Sequence, residues 1–315
     1  MNINKVLLLG GSGFVGTSVA EQLAARGIFV TVPTRRLNRA NHLLLLPTVD
    51  VVEADIFDAV ELDALVREHD AVINLVGILH GDFERTHVAF PKVVAESCAK
   101  AGVARLIHMS ALNADVNGPS EYLRSRGRGE AAVWAVAKAN PALNVTMFRP
   151  SVVFGERDQF INLFASLTKF FWVIPLGSAA AKFQPVWVED VARAIETSLD
   201  MIETKNRTYP LAGPQVYTLR QLVDFVVTVT ARRRLVVGLG PALSMLQARV
   251  FGMLPGKLIT PDNVHSMSVP SISDQPFPAI FGRAAAIEGV VPAYLGRETA
   301  GGRTRYQQFR NAAGR

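Results

Sequence analysis

The chain has 315 residues, 49% of them hydrophobic and only 19% charged, which supplies a sizeable core and excludes a disordered or acidic-tail protein. Lys and Arg number 33 against 27 Asp and Glu, a formal charge of +6; this suits anionic small molecules or acidic surfaces and is too mild to indicate specific nucleic-acid recognition. The single cysteine, Cys98, excludes an internal disulfide framework or a multi-cysteine zinc site and fits a reducing, cytoplasmic compartment.

The chain enters an apolar strand directly after Lys5, with no leader-like hydrophobic region before it. Val6-Leu7-Leu8-Leu9 reads as a buried strand, followed by a glycine turn and a helix from about Phe14 to Arg26. Further strands are expected at Ile28–Val32, Val49–Ala54, Ala71–Val76, Arg105–Met109 and Val145–Arg149, with helices at about Val88–Ala101 and Glu121–Lys138. This alternation predicts βαβ units around a parallel sheet, an α/β fold of the Rossmann-type doubly wound class. Beyond Arg149 the chain is cut by Pro150, Pro175, Pro185, Pro210 and Pro214, and a small C-terminal α+β lobe is expected there. The expected division is a dinucleotide-binding domain over 1–155, with returning segments at about 183–212. Residues 156–315 then form mainly the smaller substrate lobe and a basic tail containing Arg303, Arg305, Arg310 and Arg315. No apolar run reaches the ~18–20 residues of a membrane span. The nearest, Leu235 to Gly256, is broken by glycines and prolines and reads as a packed or interfacial helix.

Gly10, Gly11, Ser12, Gly13, Phe14, Val15 and Gly16 lie between the first strand and the first helix. Glycines at 10, 13 and 16 allow a tight turn, backbone approach to a pyrophosphate and close packing of helix on strand. The helix N-terminus offers N–H groups and a positive dipole to the phosphates. The stretch from Gly27 to Val49 has no acidic residue to accept the ribose hydroxyls of NAD(H), and its strand is followed by Arg35 and Arg36, with Arg39 nearby. Arg35 is placed to grip a 2′-phosphate, so NADP(H) is favoured over NAD(H). Asp55 and Ile56 after the third strand, and Val76 and Gly77 after the fourth, complete the expected cofactor-binding set; Asp55 either meets the adenine edge or caps the next helix.

Ser110 closes the fifth strand; Tyr122 opens a helix, and Arg126 lies four residues on along the same helix face. This layout resembles the short-chain dehydrogenase/reductase superfamily, whose Ser, Tyr and Lys form the catalytic group. The resemblance implies that Tyr122 is the acid/base, Ser110 a donor to the substrate oxygen, and Arg126 the occupant of the lysine position. Arginine stabilises a phenolate but does not relay a proton, which weakens the catalytic reading. Arg126 alternatively pairs with Glu130, four residues further on.

Asn74-Leu75-Val76-Gly77, the Arg149-Pro150 turn leading to Gly155, and Glu189-Asp190 within Gln184 to Ala192 resemble the extended NAD-dependent epimerase/dehydratase branch. His108 to Leu112, Tyr122 to Ser125, and Leu43-Leu44-Leu45-Leu46-Pro47 resemble bacterial relatives of the Rossmann-fold accessory subunit of respiratory complex I. Two functions follow as expectations. One is oxidoreductase or epimerase-type hydride chemistry on an unknown small-molecule substrate. The other is a non-catalytic NADP(H)-binding accessory subunit, associated with a membrane surface or a respiratory complex and peripheral at the inner face of the membrane. His80, His87 and His108 lack metal-ligand spacing, so no metal site is expected. Phe170-Phe171-Trp172 either line an apolar pocket or fill the lobe core. The Leu235–Gly256 stretch, edged by Arg232, Arg233 and Arg234, docks on a membrane surface or packs within the lobe.

Overall fold

Leucine and β-branched runs dominate the strands, and both faces of those runs are buried. In the computed structural model, which describes residues 3–253 and 259–299, seven strands form one parallel sheet. They are β1 (Lys5–Leu9), β2 (Phe29–Thr34), β3 (Val49–Glu53), β4 (Ala71–Asn74), β5 (Arg105–Met109), β6 (Asn144–Pro150) and β7 (Arg207–Leu211). Their order is β7-β6-β5-β4-β1-β2-β3, and every neighbouring pair is parallel. The chain runs outward from β1 to β3 and then returns to lay β4 against the other side of β1. That reversal opens a crevice at the carboxyl ends of β1 and β4, where doubly wound sheets bind their ligands.

Helices α1 (Phe14–Ala25), α2 (Ala59–Arg67), α3 (Phe90–Ala101), α4 (Glu121–Ala139), α5 (Ile161–Phe170) and α6 (Val188–Ser198) follow in order. Val6, Leu8, Ile73 and Ile107 face α1 and α6, packing with Val19, Val191 and Ile195. Leu7, Leu9, Val72 and Leu106 face α2, α3 and α4, packing with Leu62, Val94 and Val133. Burial on both faces explains why the strands read as unbroken apolar runs; each fully buried leucine contributes about 1.5–3 kcal/mol. The paired acids of α6 are structural. Glu189 accepts hydrogen bonds from Ser18 (2.6 Å) and Gln22 (2.9 Å) of α1, and Asp190 accepts from Arg193 and the Ala285 amide.

The strand and helix positions match expectation to within a few residues, with additions. The helix expected after the third strand is α2, and Asp58 caps it by accepting from the amides of Val60 and Glu61. Leu43, Leu44 and Leu45 end a 3-10 segment, Leu37–Leu45, and Leu46 is its C-cap. The helix expected from Val88 begins earlier, as a π-helical turn at Glu84–Ala89. The C-terminal lobe adds α7 (Leu219–Val229), α8 (Pro241–Met253), α9 (Pro261–Ser266) and α10 (Ile287–Thr299). It has its own core around Phe154, Ile161, Leu222, Val226 and Val291. A two-stranded parallel sheet joins Val173–Leu176 to Leu235–Gly238. The basic tail expected from Ala300 lies outside the described residues.

Candidate dinucleotide and catalytic site

The glycine loop is built for backbone contact. Gly10 has φ +84°, and a Cβ there would lie 3.2 Å from the Leu75 carbonyl carbon and the Val76 nitrogen, at the end of β4. A Cβ at Gly16 would fall 2.3 Å from the Gly10 oxygen, so only glycine lets α1 start this close to the turn. Gly13 is the helix N-cap and carries no side-chain cap, and the first turn holds no acidic residue. The leading N–H groups of α1, which have no intrahelical acceptor, therefore point into the crevice with their positive dipole uncompensated. That donor set fits the pyrophosphate of a dinucleotide.

Arg35 and Arg36 follow β2 and are exposed. Asp55 does not cap the next helix: Asp58 does. Instead one Asp55 carboxylate oxygen accepts from the Phe57 amide at 3.1 Å and fixes the turn after β3. Ile56 and Phe57 then line a cavity of about 200 Å³ with Arg85, Phe90 and Val93. The Arg85 guanidinium lies 4.7 Å from the Phe57 ring centroid.

Beyond the carboxyl ends of β4 and β5 sits a buried cation. Arg126 on α4 is 6% exposed. It donates from Nη1 to the Met109 carbonyl at 3.1 Å and lies 5.5 Å from the centroid of the Tyr122 ring. It does not pair with Glu130, because Glu130 is held by both Nε and Nη2 of Arg149. Gly77 packs directly on the guanidinium: a Cβ at that position would be 2.1 Å from Nη2. Four buried polar atoms in this region lack partners, namely Asn74 Nδ2, His108 Nδ1, Ser110 Oγ and Arg126 Nε. Asn74 and His108 are register partners across β4 and β5. Buried groups normally find partners, so such a cluster at a strand-end crevice fits polar ligand groups.

His87 positions this region and was not foreseen as a site residue. Its Nε2 accepts from the Ile78 amide at 3.0 Å, so in the neutral ring Nδ1 carries the proton and donates to Ser125 Oγ at 2.9 Å. Ser125 passes the chain on to the Tyr122 carbonyl. Burial, with Arg126 nearby, pushes His87 down to about 3; burial and the same guanidinium push His108 down to about 3. No local pattern announces the His87 contacts, which join residues 9 and 38 positions apart.

The C-terminal lobe closes on the same helix. Asp262 of α9 accepts from the Glu121 (2.7 Å) and Tyr122 (3.0 Å) amides, and Ser266 donates to the α4 N-cap Ser120. A cavity of about 580 Å³ lies here, lined by Leu79, Phe83, Arg249, Met253, Pro261 and Asp262 among others. Phe83 connects it to Tyr122, with ring centroids 6.1 Å apart. Phe170, Phe171 and Trp172 neither line this cavity nor fill the lobe core: they are 78%, 54% and 74% exposed. Among the described residues no group of three His, Cys, Asp or Glu is placed to hold a metal ion. No described helix is long and apolar enough to cross a membrane.

A doubly wound parallel sheet whose glycine loop opens an uncapped helix defines a Rossmann-type dinucleotide-binding protein. Residues 6–212 match the model of the NAD dependent epimerase/dehydratase family, and the chain belongs to that family. An NAD(P)-type cofactor follows from that membership. The chain is 30% identical over 284 residues to the mouse (Mus musculus) protein NADH dehydrogenase (ubiquinone) 1 alpha subcomplex subunit 9, mitochondrial, covering 87% of this chain and 74% of that one. The Arabidopsis thaliana protein of the same name is 33% identical over 70% of this chain and 56% of its own length. Among solved structures, a nucleoside-diphosphate-sugar epimerase from Staphylococcus aureus superposes with a TM-score of 0.72 at 15% identity, over 93% of this chain and 99% of that one. UDP-glucose 4-epimerase from Thermotoga maritima gives 0.65 at 19% identity, over 75% and 86%. These two likenesses are of fold alone.

Proposed function

We propose that this protein binds NADP(H) in the crevice between β1 and β4 and performs hydride chemistry on a carbonyl or hydroxyl carbon. The observation that carries the reading is Arg126, a buried guanidinium beside Tyr122 with no carboxylate partner among the described residues. The Gly10–Gly16 loop and the α1 N-terminus hold the pyrophosphate, Asp55 and Ile56 stand at the adenosine end, and Val76 and Gly77 border the nicotinamide end. Arg35 reads the 2′-phosphate, with Arg36 adding to the field. The bound nicotinamide supplies or accepts the hydride. Tyr122 gives or takes the proton at the substrate oxygen, Arg126 stabilises its phenolate, and Ser110 Oγ–H donates to the same oxygen. The cavity of about 580 Å³ beside Phe83 seats the substrate.

Titration of the cofactor-stripped protein with NADPH and NADH tests the first half, with tighter NADPH binding expected. NADPH oxidation across a carbonyl panel tests the second: turnover collapses in Tyr122→Phe, and unchanged turnover removes Tyr122 from the mechanism. The relatives' names as respiratory-complex subunits favour a second reading, a non-catalytic NADP(H)-binding accessory subunit. Arg126→Lys separates the two, raising turnover in a weakened enzyme and leaving a structural subunit inert.

A further inference from the structure

The acidic residues of this chain are distributed unevenly. None occurs between Asp158 and Glu189, or between Asp224 and Asp262. Those two stretches hold Lys169, Lys182, Arg232, Arg233, Arg234, Arg249 and Lys257. Seven cations without a single anion exceed the whole formal charge of +6, so the rest of the protein is close to neutral.

The same stretches carry much of the exposed apolar surface. Phe170, Phe171 and Trp172 project where α5 runs into the small sheet. On that sheet Val173 and Leu235 are register partners, and both are exposed, as is Val237. At the other end of the strand α8 is anchored by Ser244, which accepts from the Ser178 amide, and by Gln247, which bonds Gly177 and Pro175. Its buried residues are Ser244 and Ala248. Leu243, Leu246, Val250 and Met253, spaced three, four and three apart, form one exposed stripe, and Arg249 is exposed beside it. The aromatic end is also charged: the Arg234 guanidinium stacks 4.6 Å from the Trp172 ring centroid, and its Nε donates to the Thr168 carbonyl.

Apolar side chains with tryptophan at the rim and arginine beside them, on two stretches of sequence that hold no acidic residue, match an anionic lipid surface, where rings sit at headgroup depth and cations meet phosphates. We infer that this face of the C-terminal lobe docks the protein peripherally on an anionic membrane, through Phe170–Trp172, Arg233 and the exposed stripe of α8. The complementarity is one of charge and hydropathy, and it asks for no shaped pocket. α8 also lines the cavity beside Phe83 with Arg249 and Met253, so docking brings that cavity next to the lipid. The inference does not depend on the cofactor or on catalysis.

Co-sedimentation with vesicles tests it, using phosphatidylglycerol mixed into phosphatidylcholine against phosphatidylcholine alone. The protein is expected to pellet with the anionic vesicles and stay in solution with the neutral ones, and to be released as salt rises. Arg233→Glu, at an exposed position, weakens the partition about tenfold, and Phe171→Ser with Trp172→Ser abolishes it. A blue shift of tryptophan emission on vesicle binding disappears in Trp172→Phe. Far-UV circular dichroism and thermal unfolding of each variant check that the fold is intact. Failure to pellet with anionic vesicles overturns the proposal, as does equal binding to neutral ones or binding that survives these substitutions. A dimer in solution that Phe171→Ser with Trp172→Ser dissociates, without vesicle binding, assigns the face to a second copy and overturns it equally.

Discussion

Glu130 is bound by Arg149, whose Nε lies 2.8 and 3.1 Å from its two carboxylate oxygens, although Arg126 stands only one helical turn away on the same helix. Among the described residues no carboxylate pairs with Arg126, which is 6% exposed. Its neighbours are neutral: a carbonyl, a phenol ring, and two histidines whose burial keeps the protons off. An unpaired buried cation costs several kcal/mol, a cost that an electron-rich ligand or a developing phenolate offsets when present.

The Glu130–Arg149 pair joins α4 to the carboxyl end of β6. Glu130→Gln keeps the shape but removes the charge, leaving a half-buried guanidinium weakly satisfied. Because Arg149 retains 35% side-chain exposure, the expected loss of about 1–3 kcal/mol lies below that of a fully buried pair. Urea denaturation measures it; a midpoint within error of the parent protein would mean that solvent already screens the pair.

Arg35 is exposed at the end of β2, so Arg35→Ala should cost little stability. NADPH affinity should fall about 10- to 100-fold, the worth of a charged hydrogen-bonded contact, with NADH affinity nearly unchanged. Parallel fluorescence titrations read the ratio. An equal loss for both cofactors would place Arg35 on a shared phosphate instead.

Much of the sheet was legible because parallel strands buried on both faces advertise themselves: Val6 to Leu9 and Arg105 to Met109 are such runs, and β5 has the expected ends. The glycine loop was legible for a related reason, since only backbone geometry permits that spacing between strand and helix. The cap of α2 was less legible, because Asp55 and Asp58 both precede the helix and only Asp58 lies at the distance from which its carboxylate reaches the Val60 and Glu61 amides. Partner choice was not legible at all. Spacing alone offered Glu130 to Arg126, and tertiary packing gave it to Arg149. Nor does hydropathy say whether Phe170 to Trp172 will be covered, and the structure leaves them exposed.

Stability should fall on mild acidification. His87 and His108 have folded-state values near 3, below the ordinary 6.5. As pH drops below about 6.5 the unfolded chain takes up protons that the folded chain refuses. Their contribution is therefore fully present above that pH and is lost progressively as pH falls toward 3. Thermal midpoints at pH 7, 6 and 5, above the carboxylate range, should decline steadily, and His87→Gln should flatten part of the slope. A midpoint constant over that window would contradict the buried neutral histidines.

Gly77 and Arg126 should be energetically coupled. A methyl at 77 would sit 2.1 Å from Nη2 and 3.0 Å from Cζ of Arg126. A flexible side chain normally yields to such a clash, but this one is buried, tied to the Met109 carbonyl and stacked by the Tyr122 ring. Gly77→Ala alone should therefore cost about 1–3 kcal/mol, as overpacking does, and should weaken NADPH binding through the displaced guanidinium. Arg126→Ala alone removes the cation and its contacts but leaves room beneath the loop. In the double variant the new methyl occupies that room, so its cost largely vanishes, and the cycle should show a coupling of about 0.5–3 kcal/mol. Urea unfolding of the four proteins measures this directly. Strictly additive losses would mean that the loop after β4 does not rest on Arg126, and the nicotinamide end proposed there would need another support.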